Sequence, residues 1–98
     1  MAFKDEYDFY QIKNEAEDLV LNELEIQLGN IGKKICLCNE CVVDMAAIAL
    51  NLVKPLYRYS LLGSLYATQA ANDKEYASSV KQAVAQAVEK VSSNPSHD

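Results

Sequence analysis

The sequence is poor in the residues most active sites and most nucleic-acid surfaces require. It holds one histidine (His97), one arginine (Arg58) and no tryptophan. Glycine and proline are scarce, at three and two of 98 residues, while half the chain is hydrophobic. That balance excludes a collagen-like or low-complexity chain and favours an ordered, helix-rich domain. Basic residues are outnumbered, nine Lys and Arg against fourteen Asp and Glu, for a net charge of −5. The phosphate-neutralising footprint that dominates nucleic-acid binding is missing, so direct DNA binding is not expected. No apolar run approaches the ~18 residues of a membrane helix, so no membrane association is expected. The first twenty residues, "MAFKDEYDFYQIKNEAEDLV", are acidic and lack the apolar core of a signal peptide, which makes a cytoplasmic location the expectation. There is no internal repeat and no glycine-rich phosphate loop.

The length fits one domain over residues 1–98, with 93–98, "SSNPSHD" less its first serine, expected to fray. A domain of this size buries a limited share of its surface and commonly leans on a metal, disulfides or a second subunit.

Hydrophobic spacing outlines the helices. Ile12, Ala16, Leu19, Val20, Leu24 and Leu28 recur at i, i+3/i+4, predicting a first helix from about Asp8 to Leu28, with Lys13, Glu17 and Asp18 off the stripe. Gly29 and Gly32 end it. A second helix is predicted from Asn39 to Leu52 or Val53. It is apolar nearly all round, through Val42, Met45, Ala46, Ile48, Ala49 and Leu52, so it must be central and covered by several helices or by a second subunit. Pro55 makes Lys54 its boundary. Tyr57 and Tyr59 suggest a short extended stretch, and a short helix carrying Leu65 and Tyr66 is expected from about Ser64. Asn72 or Asp73 caps a last helix, with Glu75 in its first turn. Its stripe is Tyr76, Val80, Ala83, Val84, Ala87, Val88 and Val91. The small residues in it permit close helix approach, within the chain or across a dimer.

All three cysteines, Cys36, Cys38 and Cys41, fall within six positions of "ICLCNECVVD". An odd count excludes a fully paired intrachain framework, and a reducing compartment disfavours disulfides. On one helix Cys36 and Cys38 would point about 200° apart, so "KKICLCN" is expected to be a loop. Cys41 then sits in the first turn of the second helix, where the helix dipole favours the thiolate that binds metal. Lys33 and Lys34 would offset negative charge. Three thiolates favour zinc in a structural site, which requires a fourth ligand. Asp44, Glu40, His97, a partner chain and water are the candidates, and Asp44 reads more plainly as a residue satisfying backbone donors. Against zinc stand three inert buried thiols and redox chemistry at the C-x-x-C "CNEC", which lacks the usual βαβ context.

The rest of the acid–base inventory is thin. Neither a Cys-His dyad nor a Ser/His/Asp set can be assembled, and Glu15, Glu17 and Asp18 read as a solvated helix face. Arg58, between Tyr57 and Tyr59, suits an anionic ligand with a stacked base, or more plainly a surface ion pair with a packing stem.

The block from "CLCNECVVDMAAIALN" into "LVKPLYRYS" resembles the bacterial late competence development protein ComFB family. Closely spaced cysteines precede Asp44, and Ala47, Ala49, Leu50, Asn51, Pro55 and Tyr57 fit the family's pattern. Lys54 replaces the usual first proline of the turn, and Leu56 a position often basic. The resemblance implies an all-α, small four-helix-type domain, zinc-stabilised and forming a homodimer, with no enzymatic activity and a regulatory or adaptor role in DNA uptake. It also implies zinc bound through Cys36, Cys38 and Cys41. Some cyanobacterial relatives look like receptors for cyclic dinucleotides, which makes such a receptor the alternative, with a thiol oxidoreductase behind it.

Overall fold

A computed structural model describes residues 2–95. Four helices carry the fold: α1 (Ala16–Gly29), α2 (Asn39–Leu52), α3 (Leu61–Ala71) and α4 (Lys74–Ser93). Two 3-10 turns, Phe3–Asp5 and Phe9–Gln11, precede them. Two short strands, β1 (Lys13–Asn14) and β2 (Tyr57–Arg58), pair antiparallel with Lys13 opposite Arg58 and Asn14 opposite Tyr57. The chain is thus mainly helical, and the two-residue ladder is its one departure from an all-α fold among the described residues. No helix there is long and apolar enough to cross a membrane.

The core is a three-helix packing of α1, α2 and α4, with α2 against α4 the most extensive contact. It gathers Ala16, Val20 and Leu24 from α1, then Cys41, Met45, Ala46 and Ala49 from α2. From α4 come Val80, Ala83, Val84, Ala87, Val88 and Val91. The whole expected α4 stripe faces inward, with only Tyr76 half-buried. Alanine and valine are small enough to permit close helix approach, and Met45 is the largest of the side chains fully buried among them. Asp73 caps α4, its Oδ1 accepting the Glu75 N–H at 2.8 Å. The Tyr76 hydroxyl donates to the Lys54 carbonyl at 2.7 Å, tying α4 to the end of α2. Desolvation there pushes the Tyr76 phenol above its usual pKa.

The first helix starts eight residues later than the spacing predicts, at Ala16, and Ile12 is exposed. Asn14 is the reason. Its Oδ1 accepts the Ala16 N–H at 3.1 Å and the Leu56 N–H at 2.7 Å, while the Glu15 N–H donates to the Leu56 carbonyl at 2.9 Å. One amide oxygen therefore starts α1 and holds the segment after α2 against it. Beside it, Arg58 pairs with Glu15, both half-buried. The expectation that Glu15 belongs to a solvated face is corrected by that pair, which meets the plainer reading of Arg58. Replacing Asn14 with Ala leaves two backbone donors without this acceptor and is expected to cost about 1–2 kcal/mol. Urea unfolding should show a lower midpoint with an unchanged m-value.

α3 begins at Leu61, three residues before the expected start, because the Ser60 side chain caps it by accepting the Gly63 N–H at 3.2 Å. Only Ala67 of this helix is buried. Leu61, Leu62, Leu65 and Tyr66 are 79%, 64%, 55% and 68% exposed.

Candidate metal centre

The thiols are placed by a loop that closes onto the core and by the helix that follows. Ile31 and Ile35 pack against the core cluster and anchor the loop between α1 and α2. Lys33 Nζ lies 3.6 Å from a Glu89 carboxylate oxygen, so this lysine reaches towards α4. Cys36 follows Ile35 and is half-buried against the core. Cys38 is the N-cap of α2, with extended backbone (φ −70°, ψ 164°) and an exposed side chain. Cys41 sits in the first helical turn and is fully buried. The loop-to-helix arrangement expected from the spacing is the one observed.

The three Sγ atoms lie within 4.8 Å of one another. The Cys41 N–H donates to Cys38 Sγ at 3.5 Å. Sulfur therefore takes the place of the Ser, Thr or Asp oxygen that usually satisfies an unpaired donor at a helix start.

This donor set fits a zinc ion. Zn–S bonds of about 2.3 Å in tetrahedral geometry set S···S separations of about 3.8 Å. Small side-chain rotations bring sulfurs already within 4.8 Å to that spacing. Soft thiolates select zinc over calcium or magnesium, which take oxygen. Among the described residues no carboxylate joins the thiol cluster. Asp44, one helical turn beyond Cys41, is half-buried and outside it. Glu40 is exposed in the first turn of α2, and His97 lies outside the described residues.

Two features of the structure have no simple signature in the sequence. Cys38 acts as a helix cap, a role rarely assigned to sulfur from sequence. Asn14 clamps two distant segments, which only its position before "EAEDLV" could have hinted.

The comparisons with known proteins agree with this architecture. No curated protein matches the chain. Among solved structures, it is similar to the late competence protein ComFB from Bacillus subtilis, at 25% sequence identity and a TM-score of 0.70, over 87% of this chain and 92% of that one. The family model of the late competence development protein ComFB matches residues 13–95, from the first residue of β1 past the end of α4. The chain belongs to the ComFB family of late competence development proteins.

Proposed function

We propose that this protein is a non-enzymatic, zinc-stabilised helical homodimer with a regulatory or adaptor role in late competence. The observation that carries the reading is the convergence of Cys36, Cys38 and Cys41 Sγ within 4.8 Å at the start of α2. Zinc bound there ties the α1–α2 loop to the core by bonds that persist in a reducing environment. The non-enzymatic reading rests on the thin acid–base inventory of the sequence, with one histidine and one arginine, the latter paired with Glu15.

The dimer reading is supported by surface accounting. The chain exposes 7248 Å², whereas a compact monomer of its mass exposes about 5,600 Å². Its radius of gyration is 15.7 Å, against about 12.6 Å for a compact chain of this length. The shape is a slab, 47 × 37 × 17 Å. An excess of about 1,700 Å² per chain matches what each partner of an obligate homodimer covers.

α3 is the natural part of that excess. It has eleven residues, one of them Gly63, and no charged side chain. A helix this short is marginal in water without a packed face, and α3 buries only Ala67. In a chain of net charge −5, a charge-free helix is also where two copies approach with least repulsion.

The test is metal content and mass together. Protein purified under reducing conditions without added zinc is expected to carry one zinc per chain and to sediment as a dimer. Metal well below stoichiometry would sink the zinc claim. Leu65→Glu places charge on the α3 face and is expected to give a folded monomer with its zinc retained. A dimer of undiminished affinity would remove α3 from the interface.

A further inference from the structure

We propose that Cys38 and Cys41 are a redox-sensitive pair whose oxidation to a disulfide releases the metal. The proposal rests on the zinc reading above and adds a means of regulating that site. Its geometric basis is the asymmetry of the two thiols. Cys38 is exposed at the N-cap of α2, and Cys41 is buried one helical turn on. Cys38, the least buried of the three residues, is the one a small oxidant reaches, and Cys41 is the resolving partner beside it, the arrangement typical of redox-sensing cysteines.

The helix itself sets the spacing. Residues three apart on a helix have Cα atoms about 5 Å apart, inside the range a disulfide spans. The sulfurs are already within 4.8 Å, and the Cys41 N–H holds Cys38 Sγ over the helix start at 3.5 Å. Rotation about the side-chain bonds closes the remaining gap without moving α2. The Cys36 sulfur lies within the same 4.8 Å of both, so the Cys36→Ser variant separates its part from theirs.

The oxidant is a hydroperoxide, and the chemistry balances in two steps. The Cys38 thiolate attacks the peroxide, forming an S–O bond as the O–O bond breaks, and becomes a sulfenic acid while the peroxide leaves as water or an alcohol. The Cys41 thiolate then attacks the Cys38 sulfur, the S–S bond forms as the S–O bond breaks, and the hydroxide leaves as water with a proton from solvent. Two thiols and one peroxide give one disulfide and, for hydrogen peroxide, two waters. The metal keeps one thiolate of three, Cys36, too few to hold zinc in a structural site. A dithiol reductant reverses the bridge by thiol–disulfide exchange.

The experiment treats the zinc-loaded full chain with hydrogen peroxide. It follows zinc with a chromogenic chelator and the bridge by intact mass and by peptide mapping after cleavage at Glu40, which separates Cys38 from Cys41. The expected result is loss of two hydrogens, a Cys38–Cys41 bridge and zinc release in step with it, reversed by dithiothreitol followed by zinc. The Cys36→Ser variant, which keeps both members of the pair, should still form the bridge. Three results overturn the switch: thiols that stay reduced, a bridge that requires Cys36, or zinc retained after the bridge has formed. A chain that carries no zinc yet still bridges Cys38 to Cys41 sinks the zinc reading and with it the release step. A zinc-loaded chain whose thiols resist peroxide sinks the switch alone.

Discussion

Cys41→Ser is expected to remove the metal and most of the domain's stability together. Two costs coincide at this position. The first is loss of one of the three converging thiols, which opens a site whose binding free energy is also folding free energy. The second is a smaller and more polar side chain placed where Cys41 is fully buried in the core cluster, a desolvation cost of about 1–3 kcal/mol. Their combination should exceed about 3 kcal/mol, lowering Tm by at least about 12 °C for a domain of this size. Cys38→Ser separates the two costs, because Cys38 is exposed and its replacement still offers an oxygen to the Cys41 N–H. It should lose zinc as fully as Cys41→Ser does while melting higher than it. Calorimetry and metal analysis on the two variants, beside chelator-stripped wild type, give the full comparison. Equal melting temperatures for loaded and stripped wild type would show that zinc is not a stabilising part of the fold.

How far the fold was legible depended on whether one face of each segment is buried by its own chain. α4 has a polar back and an apolar front, so Val80, Val84, Ala87, Val88 and Val91 declared themselves by spacing alone. α2 was legible for a different reason. It is apolar almost all round and bounded by Cys38 and Pro55, and its limits at Asn39 and Leu52 were readable from those neighbours. α1 was misjudged at its start because Ile12 continues the stripe in register while Asn14 diverts the backbone into pairing with β2. A clamp between residues 42 positions apart has no local signal. α3 is the opposite case. "LLGSLYATQAA" carries no charge and no polar back, so periodicity could not orient it or find its start. Its own chain buries only Ala67 of it, so there is no inward face for a pattern to mark.

The thiol cluster was the most legible part of the site. The rotation per residue on a helix was enough to move Cys36 and Cys38 off a common face, and the structure places them on the loop and the cap. That no carboxylate joins the thiols among the described residues was not legible, because neither Asp44 nor Glu40 has a neighbour pattern that distinguishes a ligand from a solvated carboxylate. The same ambiguity surrounded Arg58, which the pairing of β1 and β2 brings to Glu15 across 43 residues.

Met45→Ala is expected to produce the largest loss of stability of any single truncation away from the thiols. Met45 is the largest of the fully buried side chains and lies on α2, the helix that α1 and α4 both pack against. Its neighbours across the contact are mostly alanine and valine, short side chains on rigid helices that cannot reach into the space it leaves. Cavities that fail to collapse mark the upper part of the cost range, and truncating a buried methionine to alanine costs about 2–5 kcal/mol. A loss of about 3–4 kcal/mol is expected here, seen as a lower urea midpoint with an unchanged m-value. Met45→Leu nearly conserves volume and should cost less than about 1.5 kcal/mol. Val43→Ala, on the exposed side of the same helix, should change stability by less than about 0.5 kcal/mol. The comparison must be made at one protein concentration, since a dimer's apparent stability rises with concentration by mass action. Zinc content should be unchanged in all three variants, because Met45 packs in the core one turn beyond Cys41 and lies outside the thiol cluster. If Met45→Ala lost zinc in parallel with stability, the metal would depend on packing along the whole of α2, rather than on the loop and cap that hold the sulfurs.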